Sequence, residues 1–243
     1  MFDTVLLLTG PAEQEPLAAA LKRHNPQLVV RPVRTRADLE STEQRLLRRA
    51  RLIGFLTSIV VPERILSKLG FGAYNFHPGP PDYPGWLPSH FATYGQATEF
   101  GVTVHMMANK VDAGPIVAVE LFEVPPNTGV LELEKMTFVA LVQLFWDLAP
   151  VLAMQSAPLP ELPVRWSDRK TTRKTFAAMC EIAPDISKDE LDRRVPVFGA
   201  GHFGIDLTVT LHGYRFRYIA PEAAEQTEAP GIVPAQAPEA EKV

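Results

Sequence analysis

Hydrophobic residues in the first part of the chain follow two alternating patterns. Short continuous apolar runs at residues 5–8, 28–30 and 52–56 predict strands that are buried on both faces. Between them, residues 13–24 and 37–50 are largely polar, with apolar residues at helical spacing. This strand–helix–strand order predicts an α/β fold with a mostly parallel, doubly wound sheet and helices on its faces.

A loop with unusual composition follows the next predicted elements. Pro62 and Gly70 bracket a further helix, and residues 73–76 form a short strand. Residues 77–85 contain four prolines and two glycines, which excludes a regular element. Because ligands of open α/β sheets bind at the carboxyl ends of strands, this loop is expected to border the functional site.

The pattern continues to residue 154. Ser89 is expected to cap a helix over residues 90–96, and alternation over 102–107 predicts a strand. Residues 115–123 predict another strand, and residues 130–154 a long apolar helix.

The last third of the chain has a different organisation. Residues 156–170 contain three prolines and are interpreted as a linker. Alternation around a turn at His212 and Gly213 predicts a β-hairpin, and the Pro-, Ala- and Glu-rich composition beyond Pro221 predicts disorder. The predicted organisation is a catalytic domain at 1–155, a linker at 156–170, a small α+β unit at 171–220 and a disordered tail at 221–243.

Composition narrows the classes of function. A formal net charge of -4 offers no overall positive field for nucleic acid or acidic membranes. The single cysteine, Cys180, excludes an intramolecular disulfide and a thiolate zinc cluster, and is interpreted as a buried apolar residue. His24, His202 and His212 lack metal-ligand spacing. With no signal-like segment at the start, the protein is expected to be soluble and cytoplasmic, without a metal.

Three polar residues carry the candidate chemistry. Asn75 and His77 flank one strand end, and Asp112 lies in the turn Val111-Asp112-Ala113-Gly114-Pro115. An amide and a histidine provide the hydrogen-bond donors and the proton carrier that transfer through a tetrahedral oxyanion requires, and a carboxylate can orient the histidine. A structural interpretation, in which Asn75 and Asp112 only stabilise turns, is equally open from spacing alone.

Three ordered motifs favour the catalytic interpretation. Asn75-Phe76-His77-Pro78, Gly101-Val102-Thr103-Val104-His105 and Val111-Asp112-Ala113-Gly114-Pro115-Ile116 closely resemble the formyltransferase family that uses 10-formyltetrahydrofolate. The resemblance covers residues 50–155 well. Residues 185–194 and the following hairpin more weakly resemble the small C-terminal unit of sugar N-formyltransferases and of hydrogenase-maturation proteins.

The resemblance implies a Rossmann-like fold and a role in one-carbon metabolism, with Asn75, His77 and Asp112 as catalytic residues. It also implies that the pterin of the tetrahydrofolate donor lies near residues 53–62 and 108–112. The residues expected to bind this co-substrate are Leu56, Ile59, Val60, Ala108, Val111 and Gly114. Gly79, Tyr83, Trp86 and His90, on or just after the proline-rich loop, are the candidate acceptor-binding residues. His105 is interpreted as a structural histidine.

The acceptor is left open by departures from the family pattern. The family commonly has a Ser and two Leu after His-Pro, where this chain has residues 79–84 as Gly-Pro-Pro-Asp-Tyr-Pro. A single glycine at Gly10 provides no phosphate cradle, and no large basic C-terminal domain follows, so glycinamide ribotide and transfer RNA are expected to be poor acceptors. A small-molecule amine is expected, with a homodimer through the C-terminal unit. The alternatives are a formyltetrahydrofolate deformylase and a catalytically silent folate-binding subunit.

Overall fold

The computed structural model describes residues 1–220, so the predicted disordered tail at 221–243 lies outside the described residues. The chain divides into two compact units, the first at Met1–Ala178 and the second beginning at Met179. The first unit contains the strands and helices that carry the motifs.

The described part of the first unit is built on a six-stranded sheet in the order β2-β1-β3-β4-β5-β6. The first four of these strands are parallel, and β5 and β6 are antiparallel to their neighbours. The strands are β1 Thr4–Leu8, β2 Val29–Val33, β3 Ala50–Phe55, β4 Ala73–His77, β5 Glu99–Met106 and β6 Ile116–Glu123. The helices are α1 Pro11–His24, α2 Arg36–Glu40, α3 Gln44–Leu47, α4 Glu63–Leu66, α5 Pro88–Tyr94, α6 Val130–Met154 and α7 Arg173–Cys180, which ends in the second unit. The predicted mostly parallel Rossmann-like α/β fold is confirmed.

Helices cover both faces of this sheet, which explains the continuous apolar runs. β1 is buried along its whole length. Leu7 and Ile53 face a core shared with α1 and α6, while Leu6 and Leu52 face a second core with α2, α3 and α4. Since successive side chains of a strand point to opposite faces, a strand between two helical layers is apolar at every position.

α6 supplies much of the first core. Leu141, Phe145 and Leu152 on this helix are fully buried against the sheet and α1. Within residues 1–220, α6 is also the one helix that is long and apolar enough to cross a membrane by length and composition. Its buried residues account for part of this apolar character, while Leu131, Val139 and Trp146 on the same helix are exposed.

Two local predictions are wrong in detail. The helix predicted over residues 37–50 is two short helices, because the Ser41 and Thr42 hydroxyls donate to the Asp38 carbonyl and compete with the helical backbone bonds. Ser89 does not cap a helix. Pro88 occupies the first turn, because its missing N–H and fixed φ suit that position, and Ser89 is buried within the helix.

Residues 156–170, predicted to be a linker, pack within the first unit. The Leu159 N–H donates to the Tyr74 hydroxyl at 2.9 Å, and the Leu162 N–H donates to the Ile116 carbonyl at 2.8 Å. The prolines of this segment prevent it from forming a helix or strand, but they do not prevent it from packing against the sheet. The predicted domain boundaries themselves stay a prediction.

The second unit contains β7 Glu181–Ile182, α8 Lys188–Phe198, β8 Thr208–Leu211 and β9 Tyr214–Arg217. β8 and β9 form the predicted antiparallel hairpin, with Leu211 paired to Tyr214 across the turn at His212 and Gly213. The Ser187 hydroxyl accepts the Glu190 N–H and begins α8. Cys180 is buried, which together with nearby Asp206 raises the pKa of its thiol to about 11, as expected of an unreactive thiol.

Candidate active site

The site lies at the carboxyl end of β4. Asn75 and His77 are two positions apart on this strand, so their side chains project from the same face of the sheet. The antiparallel strand β5 pairs Asn75 with His105 and His77 with Thr103. Strand pairing therefore brings a second histidine, His105, beside the predicted catalytic residues.

His77 is buried between two hydrogen-bond acceptors. Its Nε2 lies 3.0 Å from the Tyr83 carbonyl oxygen and its Nδ1 lies 3.6 Å from Asp112 Oδ2. Because a carbonyl can only accept, Nε2 carries a proton and donates it to Tyr83. Burial lowers the pKa of His77 below its ordinary value, although the Asp112 charge and the Tyr83 carbonyl oppose this decrease. The ring is therefore neutral at neutral pH and can gain a proton at Nδ1, beside Asp112.

Asp112 is held by contacts from three segments. Its backbone has a φ of +43°, a left-handed conformation that Asp tolerates better than most residues. Oδ2 accepts the Gly85 N–H at 2.9 Å, and Oδ1 lies 3.2 Å from His105 Nε2. Burial favours the neutral acid, but the contact with His105, the charge of His77 and the Gly85 N–H hold the pKa of Asp112 below its usual range. The carboxylate is ionised at neutral pH.

His105 links the amide of Asn75 to the carboxylate of Asp112. Its Nδ1 lies 2.9 Å from the Met106 carbonyl, so Nδ1 carries a proton. Its other nitrogen, Nε2, is then an acceptor: it accepts an N–H of Asn75 Nδ2 at 3.2 Å and lies 3.2 Å from Asp112 Oδ1. Sequence reasoning left His105 out of the site because a histidine inside a strand is usually structural. The signal that could have identified His105 is its position opposite Asn75 on the neighbouring strand. That position is known only when the pairing of β4 with β5 is known.

His105→Ala is expected to lower kcat on the order of a hundredfold with little change in KM, because Asn75 would lose the contact that orients its amide. His105→Gln, which keeps a hydrogen-bonding amide, should recover part of this loss. Steady-state kinetics of these variants and of Asn75→Ala measure the effect.

The double variant Asn75→Ala/His105→Ala provides the control. If His105 acts through Asn75, the second substitution adds little to the first. Multiplied losses would show that His105 acts on its own.

Trp166 is a second residue that sequence reasoning missed. Its indole N–H donates to the Gly114 carbonyl at 2.9 Å. The indole ring packs edge to face against His77 and His105, with centroids 5.5 and 5.1 Å away. Trp166 lies in the segment interpreted as a linker, where nothing local indicates a site. The Trp166 ring therefore forms one side of the site, in contact with both histidine rings.

A sequence model described as formyl transferase matches residues 3–143, more than half of the chain. The chain belongs to the formyl transferase family. Solved structures with the same fold include a sugar N-formyltransferase from a Shewanella species, with a TM-score of 0.69, 13% identity and coverage of 89% of this chain and 96% of that one. A 4-N formyltransferase from Francisella tularensis has a TM-score of 0.67 and 16% identity, with coverage of 90% of this chain and 96% of that one. An N-formyltransferase from Helicobacter canadensis, in complex with folinic acid and dTDP-3-aminofucose, has a TM-score of 0.61 and 14% identity. The coverage is 88% of this chain and 85% of that one.

Membership of this family makes the protein an enzyme of formyl transfer, and the predicted donor-binding residues can be placed around its site. Leu56 follows β3, whose last residue Phe55 pairs with Phe76, so Leu56 lies beside the end of β4. Leu56, Val60 and Val111 are exposed apolar residues, and Ile59 packs against the second core. Gly114 has no room for a side chain, since a Cβ would lie 1.9 Å from the Met106 carbonyl oxygen. Ala108 is exposed and lies two residues after the end of β5.

The predicted acceptor-binding residues divide into two groups. Gly79 and Tyr83 lie beside His77: a Cβ at Gly79 would lie 2.9 Å from His77 Nε2, and Tyr83 supplies the carbonyl that Nε2 contacts. Trp86 and His90 instead pack edge to face against Phe176, and His90 is fully buried, 3.7 Å from Glu134 of α6. The structure thus brings Gly79 and Tyr83 to the site, while the contacts of His90 belong to the packing of α5 on α6.

Proposed function

We propose that this formyltransferase moves the formyl group of 10-formyltetrahydrofolate to the amine of a small-molecule acceptor. The observation that carries the proposal is the contact network of Asn75, His77, His105 and Asp112 at the carboxyl edge of the sheet. The folinic acid and aminosugar nucleotide named with the Helicobacter canadensis structure support a folate donor and an amine acceptor.

In the proposed reaction the acceptor amine attacks the formyl carbon. Asn75 Nδ2–H and His77 Nε2–H donate to the developing oxyanion. The amine loses a proton to Nδ1 of His77, the ring nitrogen without a proton, and Asp112 next to Nδ1 stabilises the resulting positive charge. The bond from the formyl carbon to N10 of the folate then breaks, and N10 takes up a proton from His77. The products are the formamide and tetrahydrofolate.

The site is closed in this structure. His77 is 3% and Asp112 5% exposed, and the Tyr83 carbonyl holds the N–H that the oxyanion needs. Substrates therefore reach His77 only after residues 79–85 move. Loop motions that complete a site around substrate are common in enzymes that must exclude water, and here they would favour transfer to the amine over hydrolysis.

The test is incubation of the enzyme with 10-formyltetrahydrofolate and a panel of amines, sugar nucleotides, glycinamide ribotide and charged transfer RNA. Mass detection of a formylated small molecule is the expected result, with a much weaker reaction for the last two acceptors. His77→Ala is the control for background transfer. Efficient formylation of glycinamide ribotide or transfer RNA would contradict the proposed acceptor class.

The same assay separates the two alternatives. A deformylase would release formate at the same rate with and without an amine, whereas a silent folate-binding subunit would bind the folate and form neither product. The contacts of His77 with Tyr83 and Asp112 favour an active enzyme, because binding alone requires no proton carrier. The proposal involves no metal, nucleic acid or membrane, and places the enzyme in the cytoplasm.

The proposed homodimer forms through the hairpin of the second unit. Tyr214 is 72% and Phe216 53% exposed, and both lie on the same face of β9. Adjacent exposed aromatic residues on a strand are typical of a protein interface. Light scattering should show a dimer that Phe216→Glu converts to monomer. Thr210→Glu, on the neighbouring strand, is the control, and a monomeric wild type would contradict the proposal.

A further inference from the structure

The indole ring of Trp166 covers one side of the two buried histidines. The ring packs edge to face against His77 with interplanar angle 80°, and against His105 with interplanar angle 88°. Both imidazoles are almost fully buried, at 3% and 2% exposure, although histidine is only intermediate among residues in its tendency to be buried. The indole therefore fills space beside the imidazoles that water would otherwise occupy.

Two hydrogen bonds fix the position of this ring. The indole N–H donates to the Gly114 carbonyl at 2.9 Å, which attaches the side chain to the turn that carries Asp112. The backbone next to it is attached to the proline-rich loop, because the Ser167 N–H donates to the Pro81 carbonyl at 2.9 Å. Residues 166–167 thus connect the Asp112 turn to the proline-rich loop.

These two hydrogen bonds respond differently to opening of the site. Movement of residues 79–85 affects the bond between Ser167 and Pro81, since Pro81 belongs to that loop. The bond between the indole and Gly114 does not involve the loop, and Gly114 is itself packed so closely on β5 that it has no room for a side chain. The Trp166 ring can therefore stay on the histidines while the loop admits the acceptor.

We propose that Trp166 is a positioning residue that keeps water away from His77 and so decides between formyl transfer and hydrolysis. The inference rests on the proposed function, because both reactions use the same donor and the same base. In the hydrolysis, water attacks the formyl carbon and gives a proton to His77 Nδ1. The bond from the formyl carbon to N10 then breaks, N10 takes up that proton, and the products are formic acid and tetrahydrofolate. Formamide is the main product only if the amine, and not water, lies beside the base.

The direct test uses 10-formyltetrahydrofolate as the only substrate, so that water is the only nucleophile supplied. The wild type should release formate slowly, because the indole excludes water from His77. Trp166→Ala should release formate at least about tenfold faster, since the space left by the indole admits water next to the base. Trp166→Ala/His77→Ala should lose this increase, because the water then has no base. A coupled formate dehydrogenase assay measures the rates.

Two further variants control for damage to the fold, which circular dichroism monitors. Trp146 lies on α6 and is 54% exposed, so Trp146→Ala removes the same side chain from the surface and should leave formate release unchanged. Trp166→Phe keeps an aromatic ring but fills less space and loses the hydrogen bond to Gly114. Its formate release should rise in the same direction by roughly threefold, and it tests the proposal if Trp166→Ala does not fold.

A second measurement needs no turnover. Burial is the largest effect on the pKa of His77 and lowers it. Water beside the ring weakens this effect, so Trp166→Ala should raise the pKa of His77 while Trp146→Ala leaves it unchanged. The variants retain the other side chains whose charges act on this pKa: Asp112, His105 and Lys170. NMR titration of the imidazole nitrogens measures the pKa, with His77→Gln to assign the signal.

The outcomes separate the inference from the proposed function. If formate release and the pKa of His77 are the same in Trp166→Ala as in the wild type, the role of Trp166 is wrong, even where formamide forms normally. An equal increase of formate release in Trp146→Ala would also overturn it, because that side chain is remote from the histidines. A wild type that forms no formamide from any acceptor of the panel would refute the proposed function itself.

Discussion

His77→Ala is expected to slow formyl transfer by a factor on the order of a hundred to ten thousand, the range for a single general acid–base group. His77 is the side chain that can both donate to the oxyanion and take up the amine proton, and its partner Asp112 is ionised beside it. Because the two residues act as one unit, His77→Ala/Asp112→Asn should be about as slow as His77→Ala alone. Steady-state rates for wild type, both single variants and the double variant measure this. Losses that multiply would show that Asp112 only shapes its turn.

The pH profile of Asp112→Asn tests the same pair through charge. Neutral His77 is the form that accepts the amine proton, so kcat/KM should rise with pH through the pKa of His77. The Asp112 charge raises that pKa against the effect of burial, and its removal lowers the pKa. The rise of the profile should therefore move to lower pH, while the plateau rate falls. Asp112→Glu, which keeps the charge, is the control, and a profile that stays in place in Asp112→Asn would contradict the assignment.

Arg51→Ala is expected to reduce the free energy of unfolding by roughly 3 to 5 kcal/mol. Arg51 is fully buried on β3, and its guanidinium donates to the carbonyls of Phe71 at 3.1 Å, Leu152 at 2.7 Å and Ala157 at 3.2 Å. It thereby joins the sheet to the last turn of α6 and to the segment after it, where a cation also complements the helix dipole. Truncation leaves buried acceptors without donors and opens a cavity. Urea denaturation followed by circular dichroism measures the loss.

Arg49→Ala is the matched comparison two residues earlier. Arg49 forms an exposed ion pair with Asp3, and exposed pairs contribute less than about 1 kcal/mol. The free energy of unfolding of Arg51→Lys should lie between those of the two variants. One ammonium group cannot reach three carbonyls in the geometry of a guanidinium. If Arg51→Ala is no more destabilised than Arg49→Ala, water replaces the guanidinium at these carbonyls.

Some features of the fold were predictable because their cause is local. The runs at β1 and β3 predicted strands buried on both faces, and the hairpin turn at His212 and Gly213 predicted β8 and β9. The break between α2 and α3 was not predicted, since helical spacing extends across it while the hydroxyls of Ser41 and Thr42 end the helix. The spacing of apolar residues indicates which face of a helix is buried. It does not indicate where side-chain hydroxyls compete for backbone hydrogen bonds.

The sequence by itself determined that Asn75 and His77 share one face of a strand that ends in a proline-rich loop, because strand side chains alternate and prolines exclude regular structure. Only the tertiary structure decided which residues surround them. Asp112, His105 and Trp166 reach His77 through a turn with positive φ, an antiparallel strand pairing and a segment more than fifty residues further along the chain. Those contacts depend on long-range packing of the sheet and its loops, and no local pattern of residues contains that information.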